Sequence, residues 1–314
     1  MINNFSCFSC KNKNFSIKQS YKYIQSSHFS KLFKNLEIYK CKKCGIAQIN
    51  HELIDKNKLL NYYKEFYRSI DEFVEIKSDS DNKYFYERAK GQINLIKKYK
   101  LKKNLNNILE IGPGSGHLLI ELKKQYPQVE LFIDELDKKL NKKLLNIVNI
   151  DKNKNQYDVV ILSHVLEHLL YPNKYLINIH SKLKNKGLIV IEVPRQENID
   201  SYSYTEPHLS FFSIKSMKNL IKNNLSDYYN ILSITTVGGY QDTAYAQKHR
   251  IKKMKILSKI KIYIMKFPLF YSFLRYIKNK IINKKPKERI PNFDFSNDSE
   301  LDIYNMIHLV IQKK

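Results

Sequence analysis

Cys7-Phe-Ser-Cys10 and Cys41-Lys-Lys-Cys44 form two CxxC pairs with 30 residues between them, and together they use every cysteine of the chain. Two such knuckles can present four thiolates in tetrahedral reach of one Zn²⁺, with Gly45 easing the turn behind the second pair. Two disulfides are the competing use, and a reducing compartment disfavours them. A structural zinc ion on Cys7, Cys10, Cys41 and Cys44 is therefore expected. Residues 1–50 should fold only with it, since zinc contributes on the order of 10 kcal/mol to small modules.

A second constellation begins at Glu110-Ile-Gly112-Pro-Gly114-Ser-Gly116-His117, between an apolar run and a helical segment. Glycines at a strand-to-helix turn accept positive φ and let backbone approach a ligand. A dinucleotide fingerprint needs another glycine at position 117, where the chain has His117. The carboxylate before the glycines suits a ligand carrying an ammonium group and would repel a pyrophosphate. About 20 residues on, the next strand ends in Asp134-Glu135-Leu-Asp137. An acid at that tip can accept hydrogen bonds from both ribose hydroxyls of an adenosine. Glu135 is the first choice and Asp134 the fallback.

These residues need a scaffold, and the hydrophobic pattern supplies one. Short apolar runs predict strands at Ile108–Ile111, Val129–Ile133, Asn146–Ile150, Tyr157–Leu162, Gly187–Val193, Ile231–Val237 and Ile307–Ile311. Helices fit between most of them, as at Leu118–Gln125 and Pro172–Leu183. The pattern is a doubly wound α/β sheet of seven strands. Residues 55–100 read as helical, with Leu59, Leu60, Tyr63, Phe66 and Tyr67 on one side and a polar hinge at Ser78–Asn82. The expected division is a zinc-binding module at 1–54, a helical linker at 55–103, the α/β domain at 104–243 with 301–314, and a basic helical insertion at 244–300.

Three segments resemble the class I S-adenosylmethionine-dependent methyltransferases. Glu110–Gly116 is similar to that family's first motif, Tyr157–His168 to its fourth-strand segment, and Leu183–Ile191 to its fifth. The resemblance implies a Rossmann-like sheet and S-adenosylmethionine as cofactor. Glu110, Gly112, Gly114 and Gly116 would hold its methionine end and Glu135 its ribose, with Ser163 and His164 beside it. The stretch before Tyr157 is short, and Asp151 is a weak candidate for bracketing the adenine. The text Glu37–Asn50 resembles the N-terminal zinc domain of sugar C-methyltransferases and related surface-glycan methyltransferases. Glu206–Ser213 resembles the segment whose histidine faces the acceptor in those enzymes. It makes His208 the candidate general base, with His168 and Arg195 as other polar candidates. Thr205 and Pro207 replace the Tyr and Glu of the C-methylating pattern, and the chain stops before a second α/β domain of the kind those enzymes carry. Methylation of oxygen on a sugar or glycan precursor is the expectation.

The formal charge is +25, from 55 basic and 30 acidic residues. Six of those basic residues are arginine, which leaves 49 lysines. Nucleic-acid readers lean on arginine for bidentate contacts, so a solvated lysine-rich surface fits better than an RNA partner. An RNA methyltransferase gripping phosphates and a non-catalytic zinc-ribbon interaction protein are the alternatives. Between Lys248 and Lys285, apolar residues recur at helical spacing beside lysines. That segment either packs on the domain or lies on an anionic membrane surface. No apolar run reaches the roughly 20 residues that span a bilayer, and the start of the chain lacks a secretory leader. A cytoplasmic protein is expected, with peripheral attachment at the inner face of the membrane as the alternative.

Overall fold

The computed structural model describes residues 5–21, 32–67, 79–100, 105–150, 156–196, 207–240 and 304–314. The basic insertion, Asp151, Thr205 and Glu206 lie outside them. In chain order come strands β1 (Phe15–Ser20), β2 (Glu37–Cys41) and β3 (Ala47–Ile49), then helices α1 (Lys56–Asn61) and α2 (Asp79–Lys100). Next are β4 (Asn107–Ile111), α3 (His117–Gln125), β5 (Glu130–Asp134), α4 (Lys138–Leu144), β6 (Asn149–Ile150), β7 (Tyr157–Ser163) and α5 (Pro172–Lys182). The remainder is β8 (Leu183–Pro194), β9 (Ser210–Phe211), α6 (Ile214–Asn224), β10 (Tyr229–Tyr240) and β11 (Tyr304–Lys313).

Seven strands form one sheet in the order β10-β11-β8-β7-β4-β5-β6. The pairs β4–β5, β4–β7, β5–β6 and β7–β8 are parallel, and β11 runs antiparallel between β8 and β10. This is the doubly wound, Rossmann-like sheet the apolar runs predict. Alternate residues of each strand feed opposite faces, because successive side chains point opposite ways. Leu109, Val160, Leu162, Ile189 and Ile191 pack on one side, whereas Ile108, Val159, Ile161, Leu188 and Val190 pack on the other. Winding reverses between β4 and β7, which leaves a crevice beyond their carboxyl ends. Glu110 lies at the end of β4 and Ser163 at the end of β7, both opening on that crevice.

The N-terminal strands build a smaller sheet, ordered β1-β2-β3-β9. Its fourth strand comes from the segment that carries His208, with Ala47 opposite Phe211. Cys7, Phe8, Cys41, Cys44 and Ile46 share a core with Leu109 and Ile191 of the large sheet and with Phe212 just after β9. The module is thus fused to the α/β body through backbone pairing and a common apolar core.

Three local expectations need correction. Asp79–Asn82 form the first turn of α2 and no hinge, since short polar residues suit a helix start. The strand at Asn146–Ile150 contracts to Asn149–Ile150, because Asn146–Val148 complete the turn that ends α4. Leu60 does not join the apolar side of its helix but is 42% exposed, while Tyr62 is 1% exposed. A π-helical turn at Tyr62–Phe66 rotates the register there and turns Tyr63 toward His168.

Candidate functional site

The turn after β4 is built as the glycines require. Gly112, Gly114 and Gly116 have φ of 63°, 55° and 76°, and Gly116 is the N-cap of α3. A Cβ on Gly112 would meet Val165 Cγ2 at 2.9 Å, so that glycine also admits the chain following β7. Glu110 sits beneath this turn, buried, and among the described residues no donor reaches its Oε2. Burial pushes its carboxyl up to about 8; Arg88 counters this, and Glu135 and Glu192 reinforce it. A buried acid of this kind is completed by a ligand that brings a cation. Glu135, first beyond β5, accepts from Asp137 N with Oε1 at 2.9 Å, while its carbonyl accepts from Asn141 Nδ2 at 2.9 Å. Asp137 caps α4 by accepting from Lys139 N and Leu140 N, so it is a structural acid. Asp134 ends β5 itself. Glu110 and Glu135 come from adjacent parallel strands, close enough for the charge of Glu135 to raise the Glu110 carboxyl.

Beside them lies a buried ionic network that sequence inspection missed. Glu192 of β8 is ion-paired with Arg88 of α2 and with His308 Nε2 of β11, and accepts from Gln92 Nε2 at 3.2 Å. His164 follows β7 with φ of 54°, a left-handed conformation uncommon outside glycine. Its ring bridges two acids, Nε2 being 3.1 Å from Glu192 Oε1 and Nδ1 3.3 Å from Glu167 Oε1. Burial and the Arg88 charge depress this imidazole, but the hydrogen bonds it donates to the two carboxylates outweigh them and raise it to about 9. Ser163 accepts from Gln92 Nε2 at 2.8 Å. The signal for this network was available in the sequence. Glu192 and His308 each interrupt an apolar run that the sheet buries on both faces, and a charge there must be paired.

His168 and His208 meet on the far side of His164, with ring centroids 4.9 Å apart. His168 belongs to the 3-10 turn Leu166–His168, and its Nδ1 lies 3.2 Å from Tyr63 Oη and 3.3 Å from Pro207 O. His208 Nδ1 is 3.0 Å from Gln196 Nε2. Backbone bonds hold the loop: Leu209 N donates to Glu167 O at 2.8 Å, and Ile49 N donates to Leu209 O at 3.1 Å. The two histidines predicted from separate segments are therefore one pair. Arg195, also predicted, is buried just after β8 and bridges Phe212.

Residues 82–224 match the family model described as "Methyltransferase domain". This segment is a methyltransferase domain. Among solved structures, the chain is similar to the plantazolicin methyltransferase BamL with a desmethylPZN analog and SAH, at TM-score 0.48 and 12% identity over 82% of this chain and 94% of that one. It is also similar to coclaurine N-methyltransferase with N-methylheliamine and SAH, at TM-score 0.43 and 12% identity over 82% of this chain and 81% of that one. Among curated proteins, glutamyl-tRNA reductase of Wigglesworthia glossinidia brevipalpis is 23% identical over 246 residues, 68% of this chain. The chain spans 59% of that relative's length.

The cysteine knuckles dock on the methyltransferase domain. Asn219 Nδ2 of α6 donates to Cys44 O at 3.1 Å, and Asn224 Nδ2 of the same helix donates to Ser9 O. The four Sγ atoms lie within 4.8 Å of one another, with Cys7–Cys44 and Cys10–Cys41 each at 3.5 Å. Disulfide sulfurs would be about 2.05 Å apart. A tetrahedron with zinc–sulfur arms of about 2.3 Å has edges near 3.8 Å, so these thiols fit a zinc ion. The hydrogen bond from Cys7 lowers Cys44 to about 5, and the same contact drives Cys7 well up.

Proposed function

We propose that the methyltransferase domain takes its methyl group from S-adenosylmethionine and delivers it to an oxygen of a sugar or related glycan precursor. The observation that carries this reading is the buried, unfilled carboxylate of Glu110 beneath the glycine turn and beside Glu135. Glu110 would pair with the ligand's ammonium and Glu135 would accept from its ribose hydroxyls. Backbone at Gly112, Gly114 and Gly116 would let the methionine end approach. Ser163 and His164 would line the same crevice, His164 chiefly by keeping the loop after β7 in its left-handed turn. When bound, the cofactor supplies a methyl carbon already electrophilic on its sulfonium.

The chain's own task is then to hold an acceptor and remove its proton. A hydroxyl is a poor nucleophile while protonated, and His208, next to His168, would take that proton. An imidazole accepts at Nε2 when its Nδ1–H faces an acceptor, and the Gln196 amide supplies one with its oxygen turned to the ring. The acceptor class is supported by the resemblance of the His208–Ser213 segment and of the cysteine module to glycan methyltransferases. Cys7, Cys10, Cys41 and Cys44 would hold one structural zinc ion. A domain division at 1–54, 55–103, 104–243 with 301–314, and 244–300 accompanies this reading, with β9 as the strand that joins the first part to the third.

The test is a cofactor-consumption screen of the full chain against nucleotide sugars, free sugars, small phenols and RNA. Formation of S-adenosylhomocysteine with one nucleotide sugar supports the reading. Consumption only with RNA would replace it with the nucleic-acid alternative.

A further inference from the structure

We propose that Glu167, His168 and His208 form a second metal site, binding a divalent cation of the zinc class at the acceptor end of the domain. One ligand atom from each lies within 4.8 Å of the other two, and all three residues are buried. Two imidazoles and one carboxylate are the donor set of open, three-ligand zinc and iron sites, which leave a position for another oxygen. The set comes from two elements fixed to each other. Glu167 and His168 share one 3-10 turn, and the backbone bond from Leu209 N to Glu167 O holds the His208 loop against it.

The surroundings supply what metal-ligating residues require. His168 Nδ1 lies 3.3 Å from the Pro207 carbonyl, so an Nδ1–H donated there places the ring's lone pair on Nε2. The Gln196 amide stands against His208 Nδ1 in the same way, and its buried Oε1 finds no donor among the described residues. Turned toward the ring, that oxygen accepts from Nδ1–H and leaves Nε2 for the cation. Glu167 Oε1 faces His164, and among the described residues no donor reaches its buried Oε2. His164 answers the charge at Oε1, and a cation between Oε2 and the two imidazoles would take up the oxygen that His164 does not reach.

This site is separate from the four cysteines, which carry only sulfur donors. Its existence does not depend on the methyl-transfer reading, but it bears on it. A cation there would polarise an acceptor oxygen, and His208 would serve as ligand instead of base.

Cobalt loading of the metal-stripped full-length protein tests the proposal, because sulfur and nitrogen–oxygen ligation differ in colour. Two equivalents are expected, one with thiolate-to-cobalt charge-transfer absorption and one without. Cys41→Ser with Cys44→Ser should abolish the thiolate-bound equivalent, and His168→Gln with His208→Gln should abolish the second and leave the first in place. Glu167→Gln keeps the shape of the turn and should weaken the second equivalent at least about tenfold, since even outer-shell changes cost 10–100-fold. It also serves if the double histidine variant fails to fold. Wild-type protein that stops at the thiolate-bound equivalent overturns the proposal, as does a second equivalent unchanged by Glu167→Gln. S-adenosylmethionine binding measured on the same samples reads Glu110 and Glu135, so failure of the metal site and failure of the cofactor assignment are told apart.

Discussion

Glu110, Glu135 and His208 each make a different demand on the chemistry, and single substitutions separate them. Glu135→Ala removes two charge-assisted hydrogen bonds to a ribose, each worth roughly 1.5–3 kcal/mol. Affinity for S-adenosylmethionine in isothermal titration should fall at least about tenfold. Normal binding by Glu135→Ala with loss in Asp134→Ala would move the role back one residue. His208→Ala should lower kcat by about 10²–10⁴, whether the imidazole takes the acceptor's proton or holds a cation that polarises its oxygen, and leave cofactor affinity unchanged. Full turnover in that variant would make the histidine structural. His164 is raised to about 9 from 6.5, so its contribution to stability is complete below 6.5 and is lost as pH rises through about 9. Urea midpoints should therefore drop between pH 8 and 10, and the drop should vanish in His164→Gln. The candidates Glu110 and Glu135 were legible, because glycine spacing and apolar runs mark where strands end. Arg88 and Glu167 were not, since their roles arise from contacts between elements far apart in sequence, whereas Glu192 left one mark, a charge inside an apolar run.

At the scale of elements, the short strand β9 links the cysteine module to the acceptor loop. Its backbone pairs with β3, and Leu209 is held from both sides by Ile49 and Glu167. Removing metal from the knuckles should loosen that chain of bonds as far as His208. Hydrogen exchange with and without chelator should show the Leu209 amide losing protection along with β2 and β3. Unchanged protection at Leu209 would mean the apolar core alone holds the loop. Gly116 offers a second test of an element. At φ of 76°, a Cβ would come within 2.5 Å of Leu144 Cδ2. Gly116→Ala should cost about 1–2 kcal/mol in denaturant unfolding from the left-handed conformation alone. The long strands were readable from continuous apolar runs, whose periodicity survives burial on both faces. The π-helical turn and the two-residue strands β6 and β9 were not, because so few residues carry no period.

For the whole molecule, the reversal of winding between β4 and β7 explains why one crevice collects Glu110, Glu135 and Ser163 from three strand ends. β11, inserted antiparallel between β8 and β10, brings His308 to Glu192 and closes the ionic network from the sheet's other half. No helix among the described residues is long and apolar enough to cross a membrane. The seven-stranded plan was visible in advance from alternating runs and helices. Fusion of the cysteine module with the large sheet was not, because composition divides at residue 50 while the core does not.

The central claim is that the crevice receives an ammonium-bearing cofactor on Glu110, and its protonation offers the most direct measurement. Free Glu110 is raised to about 8 from 4.5, so it carries a proton at pH 7 and must release it to pair with a cation. Calorimetric titration of S-adenosylhomocysteine, which keeps the ammonium, should be run from pH 6 to 9 in buffers of differing ionisation enthalpy. The account predicts one site per chain and release of close to one proton at pH 7. Affinity should climb about tenfold per pH unit and level off above pH 8. Glu110→Gln should bind more weakly, with that slope gone. No binding, or binding with no proton released and the same slope in Glu110→Gln, would contradict it.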